Sequence, residues 1–263
     1  MKYRINGTTL ACDQLGESGP PLVLIHGFGL NRSIWSEMAS AYLPAARVIL
    51  PDVRGHGESD APAGVYSMGL LAADLAGLLD QLDVEKTVVC GHSMGGYISL
   101  AFAARYPNRL AGLGLIASRA DADSPEKRAG RYRLAEDVLE RGAGVLADSL
   151  APRLSRDPAV VKLAREQIMQ TKPRGIIGAA LGMAERPDRT AFLTGLDLPT
   201  LIAAGEEDQI VPFADAQKMA EGLRQGTFRG LPAAGHMPMV EQPEALGRVL
   251  SAFAQQVAEA GGV

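Results

Sequence analysis

Only two cysteines, Cys12 and Cys90, occur in the 263 residues, so the chain holds neither a disulfide framework nor a cysteine cluster with metal-ligand spacing. Each lies in a strand-like run, where a free thiol behaves as a small core residue. Positive charge is in no excess: 26 basic residues stand against 30 acidic ones, a formal charge of −4, which gives a phosphate backbone nothing to bind. No segment approaches the roughly 18 consecutive apolar residues of a membrane helix. The polar stretch from Met1 to Gly19 also lacks the apolar core and small-residue cleavage site of a secretory signal. A soluble, cytoplasmic protein without nucleic-acid or membrane partners is expected, as a monomer or a homodimer. There is no internal repeat and no low-complexity segment.

What is present is an α/β pattern, and the length fits a single domain with one core and room for an inserted subdomain. Short apolar runs, Pro21 to Ile25, Ala46 to Leu50, Lys86 to Cys90 and Leu110 to Ala117, read as strands of a mainly parallel sheet. Between two of them, Leu71, Leu75, Leu78, Leu79 and Leu82 recur at spacings of three and four, which predicts one buried face of a helix over Met68 to Leu82. From Arg119 to about Leu198 no strand is legible, and so long a stretch does not stay structureless in a compact domain. Gly142, Gly144, Pro152, Pro158, Pro173 and Pro187 divide it into roughly four helices. Strands resume at Pro199 to Gly205 and Thr227 to Leu231, and an amphipathic helix closes the chain from about Pro243 to Val257. The expected organisation is a core of residues 1–118 and 199–263 with a helical cap, 119–198, inserted in it.

The chemistry is carried by turns. GHSMGG, Gly91 to Gly96, leaves a strand and enters a helix, the setting in which G-x-S-x-G lifts a serine hydroxyl above a sheet. Ser93 needs a base, and among four histidines His236 is best placed, in a loop between the last strand and the last helix. His92 is adjacent to Ser93 and projects elsewhere; His26 and His56 suit structural hydrogen bonds. The carboxylate that orients the imidazole should fall between serine and histidine in chain order. In GEEDQIVP, Asp208 is preferred, with Glu206, Glu207, Asp121 and Asp123 as alternatives. HGFG, His26 to Gly29, follows a strand upstream of the elbow, and the backbone N–H groups of Phe28 and Met94 are the expected oxyanion donors.

The ordered set HGFG, PDVRGHGESD, GHSMGG, GEEDQIVP and AGHMPMVEQPE resembles the α/β-hydrolase superfamily in its esterase, enol-lactonase and haloperoxidase-like branch, over nearly the whole chain. The resemblance implies an α/β-hydrolase fold with a mostly parallel eight-stranded sheet, flanking helices and a helical cap. It also implies an ester-cleaving site without metal or cofactor, and gives Asp52, Arg54 and His56 a structural part. Related dehalogenases and epoxide hydrolases carry an aspartate where this chain has Ser93. Trp35, Phe28, Met169, Leu181, Met183, Val211 and Met237 are candidate substrate contacts, although packing accounts for Trp35 and for helical methionine spacing equally well.

The leading expectation is a carboxylesterase acting on small to medium esters through an acyl-enzyme. An enol-lactonase for an acidic lactone is the alternative, with Arg119 in a basic run (Lys127, Arg128, Arg131, Arg133) as the carboxylate clamp; a solvated helix face is the plainer account of that run. A triad-bearing ligand receptor with little turnover is the third.

Overall fold

The computed structural model describes residues 1–262. Among them a single sheet of eight strands is formed by β1 (Lys2–Ile5), β2 (Thr8–Leu15), β3 (Pro21–Ile25), β4 (Arg47–Pro51), β5 (Thr87–His92), β6 (Leu110–Ile116), β7 (Thr200–Gly205) and β8 (Gly226–Leu231). Their order is β1-β2-β4-β3-β5-β6-β7-β8. From β4 to β8 all neighbours are parallel; β2 runs antiparallel to β4 and to β1. The inner strands are apolar runs, and β5, β6 and β7 are buried at every residue, as a parallel sheet covered on both faces requires.

Six of the eight strands lie where the apolar runs place them. The β1–β2 hairpin does not emerge from those runs, because TTLACDQL mixes polar with apolar residues. Its signal is the Asn6-Gly7 pair between Ile5 and Thr8, both at positive φ (48° and 75°), the two-residue turn that matches strand twist.

The helices are α1 (Ser36–Tyr42), α2 (Met68–Gln81), α3 (Met94–Arg105), α4 (Pro125–Arg141), α5 (Gly144–Leu154), α6 (Pro158–Gln170), α7 (Pro173–Ala184), α8 (Thr190–Gly195), α9 (Phe213–Glu221), α10 (Pro238–Glu241) and α11 (Pro243–Glu259). Helix α2 is capped by Ser67, whose hydroxyl accepts the Leu70 N–H at 3.1 Å, and the five leucines of its periodic face are all buried. Between β6 and β7, α4–α8 make five helices among the described residues, against the roughly four read from punctuation. Pro125, Pro158 and Pro173 start helices, where a missing N–H costs nothing. Pro152 lies inside α5, which ends two residues later, so it does not divide the segment as expected.

After β3 the chain moves to one side, to β4, and then crosses back to β5 on the other. With right-handed crossovers, α1 and α2 therefore fall on opposite faces, and a crevice opens between the carboxyl ends of β3 and β5, where open α/β sheets place ligands.

Candidate active site

The loops that follow β3, β5, β6, β7 and β8 share this carboxyl edge, and each carries a polar group. After β5, Ser93 adopts φ 53° and ψ −113°, a strained conformation for a residue with a side chain, costing on the order of 1–3 kcal/mol. Its N–H donates to Ile116 O at 2.9 Å, and its carbonyl accepts the Gly96 N–H at 2.9 Å and the Ser118 hydroxyl at 2.7 Å. The turn closes this tightly only without side chains beside it. A Cβ on Gly91 would stand 2.1 Å from the Gly95 carbonyl, and one on Gly95 would stand 2.4 Å from Ile25 O.

Asp208, after β7, accepts the N–H groups of Ile210 and Val211 on one oxygen at 2.7 and 3.0 Å, and His236 Nδ1–H on the other at 2.8 Å. Burial pushes this carboxyl up, but the hydrogen bond and charge of His236, with the two amides, outweigh it and hold it below its ordinary value. In the neutral form of the buried His236 ring, donation from Nδ1 leaves Nε2 with a free lone pair. Ser93 is half-buried, and its Oγ makes no hydrogen bond to that nitrogen among the described residues. Rival carboxylates are engaged elsewhere: Glu207 with Arg156 at 3.1 Å, Asp121 with Arg119 at 2.6 Å, and Asp123 with Arg131 and Arg186 at 3.0 and 2.9 Å. Glu206 is exposed.

The other histidines are buried and neutral. His92 donates Nε2–H to the carbonyl of His236 at 2.7 Å, its ring 4.9 Å from that of His236, and burial, then the charge of His236, pull it down to about 3. His26 donates to Gly27 O at 2.8 Å and accepts the Val53 N–H at 3.1 Å, and burial lowers it to about 4. His56 donates to Arg54 O at 3.2 Å. In the same turn Asp52 accepts the N–H groups of Arg32 and Glu58 at 2.8 Å each, and Arg54 grips Asp74 through two bonds of 2.7 Å.

After β3, the Leu30 N–H returns to Gly27 O at 3.2 Å, and Gly29 takes φ +74°, a value that favours glycine. A Cβ on Gly27 would lie 3.5 Å from Ser93 Cβ, so this turn rests against the elbow. Met94 is the first residue of α3, and its N–H has no intrahelical acceptor by construction. Among the described residues neither that N–H nor the one of Phe28 bonds a protein acceptor.

Of the expected substrate contacts, Trp35 is fully buried, edge-on to His92 at 6.4 Å between ring centroids. Met183, Met237 and Val211 are buried, whereas Met169 is 53% exposed on α6. Arg119 pairs with Asp121 and, at 3.7 Å, with Asp215. It borders two cavities of about 380 and 410 Å³, of which the second reaches Val211 and neither is lined by Ser93 or His236. Sequence reasoning missed Ser118, which bonds the Ser93 carbonyl from the next strand's end, and Glu241, which accepts the amides of Gly235 and Met237 on either side of His236.

A model of the α/β hydrolase fold family matches residues 20–243. The chain is 30% identical over 239 residues to 3-oxoadipate enol-lactonase 2 of Acinetobacter baylyi, covering 89% of this chain and 88% of that protein. Among solved structures it is similar to a thermophilic esterase from Thermogutta terrifontis with malate bound: TM-score 0.94, 40% identity, 98% and 99% of the two chains covered. It is also similar to the enol-lactonase from Burkholderia xenovorans LB400: TM-score 0.89, 28% identity, 97% and 100% covered. Among the described residues no helix is long and apolar enough to cross a membrane. With the family model covering the six strands from β3 to β8 and the loops that follow them, and relatives that align nearly end to end, the protein belongs to the α/β hydrolase fold family.

Proposed function

We propose that the protein is a cytoplasmic serine hydrolase that cleaves the carboxylic ester of a small to medium substrate through an acyl-enzyme on Ser93. The observation that carries this reading is the 2.8 Å bond from His236 Nδ1 to Asp208, which orients the ring so that in its neutral form Nε2 is the free acceptor, at the sheet edge that presents Ser93. In the first step His236 takes the hydroxyl proton as Ser93 Oγ bonds to the carbonyl carbon. The tetrahedral oxyanion accepts from the amides of Phe28 and Met94, each worth roughly 3 kcal/mol. The alcohol leaves with the proton held by His236; water then attacks the acyl group by the same route in reverse, and the kinetics are ping-pong. The absence of a Ser93–His236 hydrogen bond in the free protein fits a pair that tightens on substrate binding. In this account residues 119–198 are a cap over the core formed by 1–118 and 199–263, and Trp35, Met183, Val211 and Met237 are the candidate substrate contacts.

A panel of p-nitrophenyl esters tests the reading. Wild type should turn over repeatedly and Ser93→Ala should lose several orders of magnitude; equal turnover by both would end it. A second reading, lactonase action on an acidic enol-lactone, draws on the enol-lactonase relatives and on Arg119 beside the Val211 cavity. Asp121 and Asp215 already compete for that guanidinium, so neutral esters are preferred here. A strong preference for the anionic lactone, lost in Arg119→Ala, would reverse the order.

A further inference from the structure

His236 is held by its main chain as well as by its ring. Its N–H donates to the carbonyl of Leu154, the last residue of α5, at 2.9 Å, and its own carbonyl takes the His92 bond. The amides on either side, of Gly235 and Met237, both donate to Oε2 of Glu241, at 2.9 and 3.0 Å. The other oxygen of that carboxylate accepts the hydroxyl of Ser155, which follows α5 and whose Oγ in turn accepts the N–H of Asp157 at 3.0 Å at the start of α6. The intervening Arg156 reaches Glu207, next to Asp208. A Cβ on Gly235 would stand 3.0 Å from Glu241 Oε1 and 3.3 Å from Leu154 O, so the chain entering His236 runs between the carboxylate and α5.

We propose that Glu241 is a positioning residue for His236, and that with the α5–α6 junction, Leu154 to Arg156, it braces the imidazole against the helices between β6 and β7. The proposal rests on the reading of His236 as the general base. Glu241 ends the short α10 and reaches back over the whole helix to the amide at its N-cap, Met237. Bonds from N–H or O–H to a carboxylate are stronger than neutral ones, so three of them converge on one side chain where a loop would otherwise be free to turn. Displacing α5 would release the His236 N–H and the Ser155 hydroxyl together. A base that swings by about 1 Å loses on the order of 10²-fold in rate.

The test compares full-length wild type with Glu241→Ala, Glu241→Gln and Ser155→Ala, at a temperature where circular dichroism shows each folded. Two quantities are read: kcat and KM on p-nitrophenyl acetate, and the far-downfield proton resonance of the His236 Nδ1–H bonded to Asp208. Glu241→Ala should lower kcat on the order of 10²-fold with KM nearly unchanged and should lose the resonance to exchange. Glu241→Gln keeps an acceptor for both amides and should recover most of kcat and the signal, and Ser155→Ala should fall between. Wild-type kcat and an intact resonance in Glu241→Ala would overturn the proposal, as would wild-type behaviour of Ser155→Ala if the alanine at 241 does not fold. Should wild type fail to hydrolyse any ester, the reading of function falls by itself, and the resonance still decides whether Glu241 positions the ring.

Discussion

At the scale of single residues, Asp208 is distinguished from its rivals by what each carboxylate touches. Asp208 has two amides on one oxygen and an imidazole on the other, while Glu207 and Asp121 spend their charge on arginines. Asp208→Asn should therefore cut ester turnover by about four orders of magnitude, because the amide no longer holds the tautomer that frees Nε2. Glu207→Gln and Asp121→Asn should stay within a few-fold of wild type; a loss at Glu207 as large as that at Asp208 would move the orienting role. Ser93, Asp208 and His236 could be singled out as candidates in the sequence because each follows a readable strand, and the structure joins two of them, Asp208 and His236, by a hydrogen bond. What His92 bonds, and which hydroxyl shares the Glu241 carboxylate, was not legible. His92 meets a carbonyl 144 positions away, and Glu241 meets a hydroxyl 86 positions away, and no local pattern encodes such a distance.

Among the elements, the turn from β5 into α3 is where packing leaves least room. Gly95→Ala would drive a methyl to 2.4 Å from the Ile25 carbonyl, a backbone atom of the neighbouring strand that cannot rotate away. Overpacking of this kind costs typically 1–3 kcal/mol, and a rigid backbone partner puts it at the upper end. Urea unfolding should show that loss in Gly95→Ala, together with reduced activity; wild-type stability would mean that the elbow is looser than described. The parallel strands were legible because strands buried on both faces are continuous apolar runs, and α2 because its leucines keep helical spacing. The hairpin of β1 and β2 and the four-residue α10 gave no such pattern, since one is half polar and the other too short for a period.

Taken whole, the molecule keeps all four histidines buried near one edge of the sheet. Burial first, and in His56 and His92 the charge of a neighbouring histidine, lower His26 from 6.5 to about 4 and His56 and His92 from 6.5 to about 3. Below pH 6.5 the unfolded chain takes up these protons and the folded one does not, so stability must fall as pH falls, down to the folded values. Each such histidine adds a slope of at most roughly 1.4 kcal/mol per pH unit, so the decline steepens with every ring that stays neutral in the fold. Asp208, whose folded value is depressed, adds to the loss only as pH falls below its ordinary 3.8. Urea midpoints should drop steeply between pH 6.5 and 4, and a flat profile would mean that these rings are hydrated. The helices between β6 and β7 were legible as a block but not in their packing, because the bonds that seat them join residues far apart in the chain, Leu154 and Ser155 with the loop of His236 and Gln167 and Thr171 with Gly29 to Ser33.

The most direct measurement is reaction of the intact protein with a fluorophosphonate ester followed by peptide mass mapping. One phosphonyl group per chain on Ser93 is the expected result, with labelling slowed by orders of magnitude in His236→Ala. Modification at another residue, or a rate unchanged by loss of the imidazole, would contradict the mechanism at its first step.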